Sequence, residues 1–193
     1  CLRKCAAVFV SEVELMMIAL RFLLMFITFV SFGCDPSLSW RSVKEMVRRD
    51  FPNVNQMSVN ALKHSLDTVE GSKLLIRDVR ETKEFLVSHI KGAVHINPDT
   101  DVSSLPRFLA QLDRETSIVA YCSVGYRSSA FLNKLESHGF TDLRNLEGSI
   151  FEWANTGFPV ERNGLEVSEV HPFDARWGVL LHEDLHSYKS GLK

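Results

Sequence analysis

Paired cysteines are missing from this sequence. Four cysteines occur, at positions 1, 5, 34 and 122, and none has the C-x-x-C spacing that a structural zinc site or a dithiol redox motif requires. Neither metal nor organic cofactor is expected. Three of the four precede the region where regular structure begins, so the core is expected to hold one thiol without a disulfide partner and to be stabilised by packing. A surplus of one charge is also missing: the formal net charge of -2 gives no electrostatic ground for binding nucleic acid or an acidic surface. No repeat or low-complexity stretch is present. Apolar residues at 45% and charged residues at 24% exclude the disordered and fibrous classes. A chain of 193 residues has room for about one domain with extensions.

What is present begins with one long apolar run, Phe22 to Phe32. Read from Met17, Arg21 closes a basic region, about 11 apolar residues follow, and Ser31-Phe32-Gly33 supply small residues near a cut site, the pattern of a secretory signal. Read from Leu15 to Cys34, the run is about 20 residues long and can span a bilayer with Arg21 reaching one face. Arg41, Lys44, Arg48 and Arg49 would then keep the rest of the chain on the cytosolic side. Residues 1–35 are therefore expected to be a signal peptide or an anchor, with membrane contact through residues 15–34. The first residue is Cys1 and not Met, so a fragment or an over-extended start is a further alternative, which would leave the domain soluble.

Asp35-Pro36-Ser37 ends the run. Ser39 can cap a helix carrying Trp40, Val43, Met46 and Val47 on one face, which makes residues 36–56 a helical linker or a lid. Met57-Ser58-Val59 reads as a short strand and Asn60 as the cap of a helix bearing Leu62 and Leu66. Strands then alternate with helices: Leu74 to Val79 as strand, Thr82 to Ser88 as helix, Ala93 to Ile96 as strand, and Leu105 to Leu112 as helix after Ser103 or Ser104. Ser117 to Tyr121 is the clearest central strand, followed by a helix from about Ser128 to His138, a strand at Leu143 to Leu146 and a helix around Ile150 to Asn155. This alternation predicts an α/β fold with a mostly parallel sheet covered by helices on both faces.

Ligands bind at the carboxyl ends of strands in such sheets, and the loop after Tyr121 opens with Cys122. Cys122-Ser123-Val124-Gly125-Tyr126-Arg127-Ser128 leads into a helix, so its backbone N–H groups and the helix terminus can converge on the sulfur. With Arg127 nearby, the thiol pKa is expected to fall below its free value of about 8.5. Gly125 permits the backbone turn, Ser128 or Ser129 can cap the helix or donate to bound sulfur, and Tyr126 is placed to influence the choice of donor.

The loop and its surroundings resemble the rhodanese family of sulfurtransferases in three ordered blocks. The first is Asp78-Val79-Arg80-Glu81 with Glu84-Phe85, His89-Ile90, Gly92-Ala93 and Ile96. The second is Tyr121-Cys122 through Gly125 and Arg127-Ser128. The third is Leu146-Glu147-Gly148, then Trp153 and Gly157-Phe158-Pro159-Val160. Ser149 departs from the pattern, since many members carry a second glycine there. The resemblance implies a rhodanese-like domain over residues 57–162 with a sheet of about five strands, followed by a partly helical extension at 163–193. It implies a Cys122 persulfide that takes sulfur from a small donor, such as thiosulfate or a low-molecular-weight persulfide, and passes it to a thiol or cyanide-like acceptor.

Several further residues carry two readings. Asp78 and Arg80 either orient the loop and meet the donor or form a structural ion pair. His89 is expected at a helix end or in the core, and Trp153 in the core with Phe151 and Phe158. His182 and His186 would sit at i and i+4 on a helix from Arg176 to Tyr188, a metal-ligating spacing that lacks a third ligand and reads better as an exposed face. Two rivals to sulfur transfer remain. A cysteine phosphatase or arsenate reductase needs a C-x5-R loop, whereas Cys122 to Arg127 is C-x4-R, one residue shorter. A rhodanese-like binding or redox-sensing module would use Cys122 only as an oxidisable thiol.

Overall fold

The computed structural model describes residues 38–68, 73–97 and 111–190. Helix α1, Trp40–Asp50, starts at Ser39, whose hydroxyl accepts from the Ser42 N–H while the Ser42 hydroxyl accepts from the Ser39 N–H. Strand β1, Asn55–Met57, leads through a Ser58 cap into α2, Val59–Leu66. Next come β2, Leu75–Asp78, α3, Thr82–Val87, and β3, Val94–His95. After them stand β4, Ile118–Tyr121, α4, Tyr126–Ser137, β5, Leu143–Leu146, and α5, Ser149–Asn155. The chain closes with a hairpin of β6, Val160–Arg162, and β7, Leu165–Val167, and a four-residue helix α6, Ala175–Gly178.

Strands β1 to β5 form one parallel sheet in the order β1-β5-β4-β2-β3. The α/β class, the parallel pairing and the five strands agree with the sequence reading. Side chains of a strand alternate between faces, and β4 shows why both faces had to be covered. Val119 and Tyr121 join a cluster with Val59, Leu62, Ile150 and Trp153, while Ile118 and Ala120 pack with Leu132, Leu135 and Phe140 on the opposite side. With all four residues of β4 buried, Cys122 is delivered to the middle of the sheet edge.

The flanks differ from expectation. Helix α1 is no free linker: Val43 and Val47 are buried, and Val43 belongs to the main core. The first strand lies two residues earlier than expected, because Ser58 and not Asn60 caps the helix. The helix expected from Arg176 to Tyr188 does not form. Instead α6 ends at Gly178 and a single 3-10 turn spans Glu183–Leu185, so His182 and His186 share no helical face. Leu180 and Leu181 are drawn into the main core, which a continuous exposed helix would not allow. The expectations for residues 1–35 and for the helix from Leu105 fall outside the described residues. Among the described residues no helix is long and apolar enough to cross a membrane.

Candidate active site

Cys122 follows the last residue of β4 and is 1% exposed. The loop closes at Gly125, which adopts φ 109° and forms the N-terminal cap of α4. A Cβ at that position would stand 3.0 Å from Asn145 Nδ2, so both conformation and space call for glycine. The turn aims the Gly125 N–H at Cys122 Sγ over 3.1 Å. Burial pushes the thiol pKa up, but the Arg127 charge and the Ser128 and Gly125 N–H groups outweigh it, and the net shift is downward. The loop therefore favours the thiolate, the nucleophilic form of cysteine.

The turn between β5 and α5 grips this loop from behind. Gly148 and Ser149 both have positive φ, 72° and 52°, which turns the start of α5 toward Cys122. The Ser149 hydroxyl accepts from the Cys122 N–H at 3.1 Å and donates to the Leu146 carbonyl at 3.1 Å. The first free N–H groups of α5, those of Ile150 and Phe151, donate to the carbonyls of Cys122 and Ser123. Ser149, the departure from the family pattern, thus fixes the backbone of the nucleophile.

Arg127 is held by a partner that the sequence reading did not assign a role. Glu84 is 0% exposed and accepts from both terminal nitrogens of Arg127, at 2.8 and 2.9 Å, and from the Ser123 hydroxyl at 2.8 Å. Burial raises the Glu84 pKa, but hydrogen bonds and charge from Arg127 lower it further, so it remains a carboxylate. Burial likewise disfavours the Arg127 charge, and Glu84 with Cys122 more than restores it. The signal was available: Glu84 and Val87 are the buried residues of α3, and an acid on the inward face of a helix needs a cationic partner.

The other expected residues divide. Ser123, Val124, Tyr126 and Arg127 line a pocket of about 310 Å³ that opens at Cys122. Tyr126 is 39% exposed at its rim and packs edge-to-face on Phe51. Ser128 is buried, its hydroxyl donating to Asn145 and standing close enough to Cys122 to lower the thiol pKa, while Ser129 donates to the Gly125 carbonyl. Asp78 and Arg80 form a fully buried bidentate pair, with Arg80 also donating to the Ser88 carbonyl. They are not among the pocket-lining residues, which is the structural reading of the two. His89 stacks on Phe85 and reaches Glu161, and Trp153 is buried against Phe158 with its indole N–H on the Pro159 carbonyl.

Four pocket residues had no predicted role: Met46 and Asp50 from α1, and Phe173 and Trp177 from the tail. Their signal is purely tertiary, since neither segment adjoins the loop in sequence. Among the described residues no group of three or more His, Cys, Asp or Glu is placed to hold a metal ion.

Residues 59–156 match the family model of the rhodanese-like domain. The chain belongs to the rhodanese-like family. Curated relatives include the tRNA uridine(34) hydroxylase of Pectobacterium carotovorum subsp. carotovorum (strain PC1), 28% identical over 165 residues, which are 81% of this chain and 42% of that protein. The probable adenylyltransferase/sulfurtransferase MoeZ of Mycobacterium tuberculosis is 38% identical over 84 residues, 44% of this chain and 21% of that protein. Of solved structures, a thiosulfate sulfurtransferase from Pseudomonas aeruginosa superposes with a TM-score of 0.52 at 18% identity, over 64% of this chain and 23% of that one. This likeness bears on the fold. The chain thus spans less than half the length of these relatives, whose names mark them as enzymes.

Proposed function

We propose that the rhodanese-like domain is a sulfurtransferase in which Cys122 takes a sulfane sulfur from a small donor, such as thiosulfate or a low-molecular-weight persulfide, and hands it to a thiol or cyanide-like acceptor. The observation that carries this reading is the aim of the Gly125 N–H at Cys122 Sγ, beside Arg127, in a loop sized for a single sulfur. In the first step the Cys122 thiolate attacks the outer sulfur of the donor, an S–S bond forms, and the donor leaves with the electron pair of the broken bond. In the second step an acceptor nucleophile attacks the outer sulfur of the persulfide and the thiolate returns. The N–H groups and helix terminus that stabilise the thiolate also stabilise a persulfide anion one atom further out. Arg127, fixed by Glu84, supplies charge without moving.

Incubation with thiosulfate or glutathione persulfide should add one sulfur, about 32 Da, to the intact mass, and cyanide or a thiol should remove it. Cys122→Ser should add none. An unchanged mass with every donor, together with a Cys122 that still forms a sulfenic acid, would favour the redox-sensing module. A second reading is supported by the Pectobacterium relative, whose similarity extends past the matched family span: Cys122 acts in a modification of tRNA uridine. Cells lacking the protein would then lose a tRNA modification that the native chain restores and Cys122→Ser does not.

A further inference from the structure

We infer that the sulfur donor is an organic sulfane-sulfur compound of low charge with an apolar body, and that the thiosulfate dianion is a poor substrate. This rests on the sulfurtransferase reading and specifies the substrate class of the same site. Two observations carry it, the charge balance of the pocket and the composition of its outer wall.

Arg127 and Asp50 are the charged residues lining the pocket. Arg127 is already paired with the buried Glu84 carboxylate and faces the Cys122 thiolate, and the face of its guanidinium is covered by the Phe173 ring at 4.7 Å. Asp50 is a carboxylate at the rim, paired at 2.9 Å with Arg49. Of the other cations of α1, Lys44 pairs with Glu152 and Arg48 with Glu147, and Arg41 is not a lining residue. Arg176 lies over Trp177 and is not a lining residue. With the Cys122 thiolate present, the described lining has no surplus positive charge for a sulfonate dianion.

The outer wall is apolar instead. Met46, Val124, Phe173 and Trp177 face the same space as Cys122. The tail that brings two of them is held in place: Phe173 has φ 67°, its N–H donates to His171 Nδ1 at 3.0 Å, and Asp174 accepts from the Trp177 N–H at 2.9 Å. Such a wall suits a small aromatic or aliphatic group. With an organic persulfide, Cys122 thiolate takes the outer sulfur and the donor leaves as its thiolate. With a thiosulfonate, the same attack breaks the S–S bond and the donor leaves as a sulfinate, so no oxidant or reductant is consumed.

The test uses three donors that present the same outer sulfur: thiosulfate, methanethiosulfonate and benzenethiosulfonate. With the full chain and cyanide as acceptor, kcat/KM is measured for each and divided by the donor's rate with a free thiol, which removes intrinsic reactivity. The expected order is benzenethiosulfonate, methanethiosulfonate, thiosulfate, with at least about tenfold between the first and second. Trp177→Ala should collapse that first interval, and Asp50→Asn should raise the thiosulfate value. These are ratios within one preparation, so partial unfolding of a variant does not change them. Thiosulfate equal to or better than benzenethiosulfonate overturns the inference and leaves sulfur transfer intact. An aromatic preference that persists in both Trp177→Ala and Phe173→Ala also overturns it. Failure of all three donors, and of glutathione persulfide, to load Cys122 overturns the sulfurtransferase reading itself.

Discussion

Ser149 illustrates how a single side chain can hold a reactive loop. Its hydroxyl satisfies the buried Cys122 N–H, while its backbone sits at φ 52°, a region that favours glycine. Ser149→Ala keeps the strain and orphans the donor, so a loss of about 1–3 kcal/mol is expected in urea unfolding. Ser149→Gly orphans the same donor but relieves the strain, and its loss should be smaller. Cys122 itself gives a pH signature. Its pKa is lowered below that of a free thiol, so the rate of persulfide formation should level off at a lower pH than that of a free thiol and fall as acid protonates the thiolate. A stopped-flow profile that tracks free cysteine would contradict this. At this scale the sequence was readable where partners are neighbours in the chain: Cys122, Gly125 and Arg127 fall within six consecutive positions. It was not readable for Ser149 or Phe173, whose contacts depend on how distant segments pack.

At the scale of elements, the junction of β4 and α4 sets the chemistry and the junction of β5 and α5 clamps it. Gly125→Ala would place a methyl 3.0 Å from Asn145 in a backbone conformation costly to alanine, with an expected destabilisation of about 1–3 kcal/mol. Because the same peptide points its N–H at Cys122 Sγ, the Cys122 pKa should rise as well, measurable by the ultraviolet absorbance of the thiolate. An unchanged thiol titration would show that the Gly125 N–H does not contribute. The buried strands were legible because runs such as Ile118 to Tyr121 are apolar throughout, as strands covered on both faces must be. The β6–β7 hairpin was not, although Asn163-Gly164, both at positive φ, is a strong hairpin turn; its three-residue strands are too short for a period to show. The tail, read as a helix from Arg176 to Tyr188 with His182 and His186 at i and i+4, is not one, because Asp174 caps only one turn and Leu180 and Leu181 turn inward.

On the scale of the whole molecule, the matched family span is not the whole of the described fold. Val43 before it and Val170, Leu180 and Leu181 after it are buried in the same core as Leu62 and Trp153. A chain ending after Arg162 would lack Val170, Leu180 and Leu181 and uncover part of this core, and each large apolar side chain so uncovered costs about 1.5–3 kcal/mol. Its thermal transition should drop sharply or vanish, whereas full stability would mean that the tail is only appended. The placement of Phe173 and Trp177 also has a consequence for descent. The nucleophile and its anion cradle lie inside the span that defines the family, while half of the outer wall comes from a stretch that the family pattern leaves unconstrained. On the proposed sulfurtransferase reading, drift in that stretch would retarget the domain to a new donor while the reaction machinery stays untouched, and grafting tails between related chains would be a direct way to engineer selectivity.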